Sequence, residues 1–176
     1  MSLRSFVVAC GLVTAIACVS CGTNGGDAHG GYHALLSGGG GWTVWYLAPP
    51  WVLDTQTPAR STLHVPAFEN QGTQPALVHA SMALTVETTT EPVDAAIASH
   101  AARAMIPGDA LITAPRRVMF ATEAGAETVI GGPEHEVRIA AAQLMEGLTL
   151  VLTFESTNDL SDDAEVTEMI GLVETN

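Results

Sequence analysis

Hydrophobic and polar positions alternate most cleanly near the C-terminus. There Leu148, Leu150, Leu152 and Phe154 interleave with Thr149, Thr153 and Glu155. A period of two sends alternate side chains to opposite faces, so this run predicts a half-buried strand. A second run starts at Val78, with Val78, Ala80, Met82, Leu84 and Val86 on one face and His79, Ser81, Thr85 and Glu87 on the other. Shorter strands are expected at Trp42 to Leu47, stopped by Pro49-Pro50, and at Thr62 to Val65, ended by Pro66. Others are expected at Arg117 to Thr122, Glu127 to Ile130, and around Val137, Ile139 and Ala141. Gly72, Gln74 and Pro75 mark a loop, and Ala124-Gly125-Ala126, Gly131-Gly132-Pro133 and Glu146-Gly147 mark turns.

Two stretches keep helical spacing instead. Thr90 reads as an N-cap, and Val93, Ile97, Ala101 and Ala104 form the stripe of a helix over 92–106 that Pro107-Gly108 closes. Ser161-Asp162-Asp163 opens a helix over 162–174, its acids on the positive end of the helix dipole. Val166, Met169, Ile170 and Val173 form its apolar stripe. Strands joined by tight turns pair antiparallel. The expected class is α+β, an antiparallel β-sheet flanked by two helices.

The N-terminus follows different rules. All three cysteines, Cys10, Cys18 and Cys21, fall in the first 21 residues, around an apolar run from Phe6 to Val19 with the single charge Arg4 before it. That layout is a secretory signal, and the run is short for a membrane-spanning helix. Small residues leading to a cysteine resemble a bacterial lipobox, in which the thiol is acylated and becomes the new N-terminus. Cys21 is the expected lipidation site. Ser20 precedes it, a polar Gly-rich stretch follows, and cleavage there leaves no stray thiol in the exported chain. Cys18, after Ala15-Ile16-Ala17, is the alternative, and an ordinary cleaved signal is a further one. The expected organisation is a signal peptide over 1–20, a lipidated cysteine and flexible linker over 21–41 with nine glycines after Cys21, and one domain over 42–176. Gly22 after Cys21, where Asp would direct retention at the inner membrane, points to the outer membrane with the domain facing the periplasm.

Charge narrows the partners. The chain carries a net charge of −13, with nineteen acids against six basic residues, all of them arginine. Such a surface excludes nucleic acid, whose binding depends on neutralising phosphates. It also excludes electrostatic docking on anionic lipid, so contact with the bilayer is expected through the acyl chains. The absence of lysine rules out Schiff-base and P-loop lysine chemistry.

Candidate chemistry is sparse. Asp27, His29 and His33 are ligand types for a transition metal, but a glycine tether offers no fourth ligand and no supporting shell. Glu134-His135-Glu136 alternates faces and does not converge. Ser81 with His79 and Ser99 with His100 lack the spacing of a catalytic signature, and no Gly-x-Ser-x-Gly elbow occurs. Glu87 with Glu91, or Asp162 with Asp163, read as solvated charge. No catalytic residue, metal site or cofactor is expected. The aromatic cluster is more distinctive, because Trp42, Trp45, Tyr46 and Trp51 lie within ten residues. Trp42, Val44 and Tyr46 share one strand face and Trp45 takes the other. Trp45 and Trp51 are therefore the candidate recognition surface, with packing in the core as the competing role.

The order of strands, a helix, further strands and a closing helix accompanies the segments AAIASHAARAM, VMFATEAGAETVIGG and LTLVLTFESTNDLSDDAEVTEMIGLV. Together with the opening WTVWYLAPPW, this pattern resembles the Mog1/PsbP/DcrB-like superfamily, including DcrB-type bacterial lipoproteins. The resemblance spans roughly residues 42 to 175 and implies a Mog1/PsbP-like sandwich. It also implies a non-catalytic binding or assembly module, with no motif from which a functional residue carries over. The leading expectation is a membrane-anchored envelope lipoprotein that binds a protein partner. A solute-binding lipoprotein with an aromatic pocket is the alternative, and a hydrolase using acid and base carboxylates is the third reading.

Overall fold

The computed structural model describes residues 31–36, 41–57, 59–71, 74–133, 135–157 and 159–175. The signal peptide, both candidate lipidation cysteines, Asp27, His29 and Glu134 lie outside the described residues. Among the described residues the fold is α+β, built mostly of antiparallel sheet with two helices.

The larger sheet has seven strands in the order β3-β4-β5-β9-β8-β7-β6. These are β3 (Val52–Gln56), β4 (Arg60–Gln71), β5 (Gln74–Thr89), β6 (Ala110–Met119), β7 (Ala124–Gly131), β8 (Glu136–Met145) and β9 (Leu148–Ser156). A smaller sheet has β2 (Trp42–Leu47) at its centre, between β1 (Tyr32–Leu36) and β10 (Glu174–Thr175). All pairings are antiparallel. Helix α1 (Val93–Ala104) packs on β7, β8 and β9, while α2 (Ala164–Gly171) and the small sheet share the opposite face of the large sheet.

The alternation in β9 explains why both faces are covered. Leu150, Leu152 and Phe154 pack with Val166, Met169, Ile170 and Val173 of α2 and its exit, together with Trp42, Val44 and Leu84. On the other face Val151 joins Ile97 of α1 and Ile130, Val137, Ile139 and Ala141 of the sheet. Two apolar layers thus sandwich one sheet. Thr149 is 2% exposed, and its hydroxyl donates to the Glu91 carbonyl at 2.7 Å. The polar face of β9 is therefore buried under the chain leading into α1, where the alternation alone implied solvent.

Several boundaries move. Residues 32–36 sit within the expected linker but form β1, pairing Tyr32 with Leu47 through Leu36 with Thr43. Leu35 is buried, and the folded part begins before Trp42. β4 does not end at Pro66; a register shift between Val65 and Pro66 lets the strand continue past the missing N–H. The turn after β6 lies at 120–123, so Ala124, Gly125 and Ala126 belong to β7. Thr90 does not cap α1, whose N-cap is Pro92 with no side-chain bond. Asp163 does cap α2, accepting from the Val166 N–H at 2.9 Å. Gly147, with φ of +74°, makes the β8–β9 turn.

Candidate functional site

The sequence-derived candidate surface divides. Trp51 is 1% exposed, with its ring edge-on to Phe154 and its indole N–H donating to Glu165 Oε1 at 2.6 Å. A buried indole with a satisfied N–H is part of the core. Trp51 is therefore not part of an exposed recognition surface, because α2 closes over it. Trp45 is half-buried, on the face of β2 opposite Trp42, Val44 and Tyr46. The two tryptophans form no common exposed patch.

The other sequence candidates serve the fold. His33 stacks at a tilt on Tyr46, with ring centroids 5.9 Å apart. The Ser81 hydroxyl donates to the Val65 carbonyl, and the Ser99 hydroxyl to Glu91 and the Ala96 carbonyl. His135 faces Asp109 at 3.5 Å, whereas Glu136 accepts from the Leu160 N–H, so these neighbours diverge as alternation requires. Among the described residues, no group of three or more His, Cys, Asp or Glu side chains is placed to hold a metal ion. No helix of the described residues is long and apolar enough to cross a membrane.

Sequence reasoning missed the arginines. All five in the described residues line two clefts on opposite faces of the large sheet. The smaller cleft, about 170 Å³, lies beside α1 and holds Arg60, Glu87, His100, Arg103, Thr153 and Glu155 among others. His100 is 6% exposed, with Nε2 3.1 Å from Glu87 Oε1 but not aligned for a hydrogen bond, and Nδ1 3.5 Å from the Thr153 hydroxyl. Burial pushes the His100 pKa below its ordinary value, Arg103 adds to that effect, and Glu87 and Glu91 oppose it. Arg60 and Arg103 reach Glu87 from the rim at 3.9 and 3.6 Å.

The larger cleft is an open space of about 670 Å³ between β6, β7 and β8 and the start of α2. Its floor is an ion pair. Arg138 on β8 donates from Nε and Nη2 to Glu127 Oε2 at 3.0 and 2.8 Å, and both side chains are nearly inaccessible. The remaining Arg138 nitrogen, Nη1, donates to the Leu160 carbonyl and the Thr167 hydroxyl. The other Glu127 oxygen accepts from Arg116 Nε at 2.8 Å. A buried charge pair is tolerated only when its donors and lone pairs are met, and this one is met on every side. The register brings it together. Glu127 lies opposite Ala140, and Arg138 is its diagonal neighbour on the same face.

Above this floor the walls differ in sign. β6 contributes Arg116, Arg117 and Val118, and the α2 side contributes Ser161, Asp162, Thr167 and Glu168. Arg116 is half exposed and uses only Nε against Glu127. Arg117 is exposed and makes no ion pair or hydrogen bond among the described residues. The Tyr32 hydroxyl bonds Glu168; burial and that carboxylate raise the Tyr32 pKa and place the start of β1 beside the cleft. Among the described residues, Arg117, the terminal nitrogens of Arg116 and the Asp162 carboxylate have no partner here. A lone Glu in AETVIG and a lone Arg in VRIAAA were the sequence signal for the floor, since charges inside apolar strand runs need partners.

No family model matches the chain, and no curated protein matches it. Among solved structures it is similar to a protein of Bacteroides thetaiotaomicron at 13% identity, with a TM-score of 0.41. The match covers 81% of this chain and 48% of the other, so this chain spans about half the length of that protein.

Proposed function

We propose that this protein is a membrane-anchored envelope lipoprotein, non-enzymatic, that acts as a binding or assembly module through the β6 side of the arginine cleft. One observation carries the reading. In a chain of net charge −13, Arg117 stands exposed and unpartnered among the described residues on the edge strand β6, and its sequence neighbour Arg116, only half committed to Glu127, borders an open cleft. Guanidinium groups with free planar donors are strong recognition groups at rims and interfaces. Three of the four carboxylates weighed for hydrolysis have structural duties. Glu87 faces His100 and Arg103, Glu91 accepts from Ser99, and Asp163 caps α2. These commitments support a binding role over acid–base chemistry.

The order of strands, α1, antiparallel strands and α2 supports the resemblance to Mog1/PsbP/DcrB-like modules. Anchorage would come from acyl chains on Cys21, with Cys18 as the alternative, and would hold the domain facing the periplasm, at the outer membrane. The partner is a protein in this reading. A solute-binding role is the second reading, and the cleft volume favours it over an aromatic pocket, because Trp51 is enclosed. Two variants of the full chain test the proposal. Cys21→Ser should move the protein from the membrane to the soluble periplasmic fraction and abolish palmitate labelling. Arg116→Ala/Arg117→Ala should stay on the membrane yet lose the complexes that crosslinking recovers with the wild type. Labelling that survives Cys21→Ser, or complexes that survive the arginine changes, would overturn the corresponding half.

A further inference from the structure

The outer edge of β6 pairs with no strand among the described residues, because β6 ends the seven-stranded order. Its first half is blunted against pairing by Pro115 and by register shifts between Leu111 and Thr113 and between Thr113 and Arg116. Its second half is regular, with Arg116, Arg117, Val118 and Met119 opposite Glu127, Ala126, Gly125 and Ala124. The turn fixes which backbone groups of that half are free. The Phe120 N–H donates to the Glu123 carbonyl at 2.9 Å, which makes these two a hydrogen-bonded pair. Bonded and non-bonded pairs alternate along an antiparallel ladder. Val118 and Arg116 therefore direct their N–H and C=O groups at β7, whereas those of Arg117 and Met119 point outward. The side chains divide by face. Val118 packs toward α2, while Arg117 and Met119 lie on the α1 side with Ala126 and are both exposed, Met119 by 63%. With histidine neutral, β6 is the one strand among the described residues with net positive charge, holding two arginines and no carboxylate.

We infer that the second half of β6 binds an extended, locally acidic segment of a partner protein as an added antiparallel strand. This rests on the reading of β6 as the binding face and gives that face a recognition mode, in which backbone bonds supply affinity and side chains supply specificity. Antiparallel addition, the sense of every pairing in this sheet, sets the partner's residues against Met119, Val118, Arg117 and Arg116 in that order. The matching sequence is two apolar residues followed by two acidic ones, since apolar and opposite-charge pairs directly across a ladder are favourable. Charge also decides against a second copy of this chain. Two β6 edges together crowd four arginines into one short stretch, and the β3 edge offers only Asp54, which His64 already holds at 2.8 Å. The acidic stretch must be short, because a chain of net charge −13 repels a partner acidic throughout.

The probe is the hexapeptide Thr-Ile-Val-Glu-Glu-Thr, acetylated and amidated, titrated by NMR into the full chain in detergent. At saturation it should slow exchange of the Arg117 and Met119 amides and leave that of Val118, already in the β7 ladder, unchanged. N-methylation of the isoleucine or the first glutamate removes an N–H that faces β6 and should weaken binding about tenfold or more, whereas N-methylation of the valine should not. The lysine counterpart Thr-Ile-Val-Lys-Lys-Thr should bind about tenfold more weakly, and Arg117→Ala should weaken the acidic probe alone. Met119→Pro deletes an outward N–H and no bond to β7, so it should abolish binding with the fold intact. The N-methyl comparison needs no variant and decides the matter even where proline unfolds the chain. Equal losses from all N-methylated probes, equal affinity for the acidic and lysine probes, no protection at Arg117 and Met119, or no saturable binding by about 10 mM would overturn the added strand. Protection of those amides without peptide, in a concentration-dependent dimer, would give the edge to a second copy and overturn it too. If any of these results accompanies crosslinked complexes that still depend on Arg116 and Arg117, the binding face stands and only the strand addition fails.

Discussion

Replacing Arg138 with methionine removes a guanidinium that makes four hydrogen bonds in an almost inaccessible position. Methionine fills much of the same volume, so the cavity term is small and electrostatics dominates. Glu127, itself 2% exposed, then keeps only Arg116, which approaches from a half-exposed rim position. Breaking a buried pair by removing one partner costs about 3–5 kcal/mol, because the other charge stays buried. The Leu160 carbonyl also loses its donor, a further penalty of about 1–3 kcal/mol. Thr167 is less affected, since its hydroxyl still donates to the Asp163 carbonyl. Arg138→Met should therefore rank among the most destabilising single changes in the domain. Adding Glu127→Leu should recover most of the loss, because no buried charge then remains and Arg116 returns to solvent. Urea denaturation of the wild type, both single variants and the double variant measures the coupling. A single-variant cost below about 1 kcal/mol, or a double variant as unstable as the sum of the singles, would refute the buried-pair argument.

Trp51→Ala should cost about 3–5 kcal/mol, as buried aromatic truncations do, and Leu150→Ala about 2–5 kcal/mol. An unchanged melting temperature for Trp51→Ala would mean that α2 does not close over the ring. Thr149→Ala should cost about 1 kcal/mol through its lost bond to the Glu91 carbonyl, and a silent change would show that bond to be absent in solution. The pH dependence follows from His100, whose folded pKa lies below its ordinary value of 6.5. Between the two pKa values the unfolded chain binds more protons, so stability is fully present above 6.5 and falls as pH drops below it. Calorimetry from about pH 7.5 to about pH 5 should show a smaller loss in His100→Gln than in the wild type, and equal losses would exclude His100 as the source.

Periodicity made β9 and α2 legible, since Leu150, Leu152 and Phe154 meet Val166, Met169, Ile170 and Val173 on one side of the sheet. It could not show that the far side is also covered, because burial of Thr149 and Thr153 depends on where the segment leading into α1 and the helix itself lie. β6 was legible only from Arg117 onward. Its first half carries Leu111, Ile112 and Pro115 on an exposed sheet edge, so no face repeats and no strand pattern appears. β1 was hidden among glycines, and its place is fixed by pairing with β2, a contact no local pattern encodes. Trp51 illustrates the same limit. Tryptophan is equally at home in an interface and under a helix, and Glu165, 114 positions away, decides the matter by accepting its N–H. The cleft walls come from β6 and from the α2 region far along the chain, so their opposition exists only after the sheet has formed.

The central claim is that binding occurs at the β6 wall. A photo-crosslinking amino acid placed at Met119, beside the arginines on β6, and separately at Thr55 on the opposite sheet edge, tests it directly in intact cells. Both positions are exposed on edge strands, and they lie at the two ends of the seven-stranded order. The account predicts a discrete adduct from position 119 that Arg116→Ala/Arg117→Ala weakens, with none from position 55. Adducts of equal yield from both edges, or an adduct from position 55 alone, would contradict it.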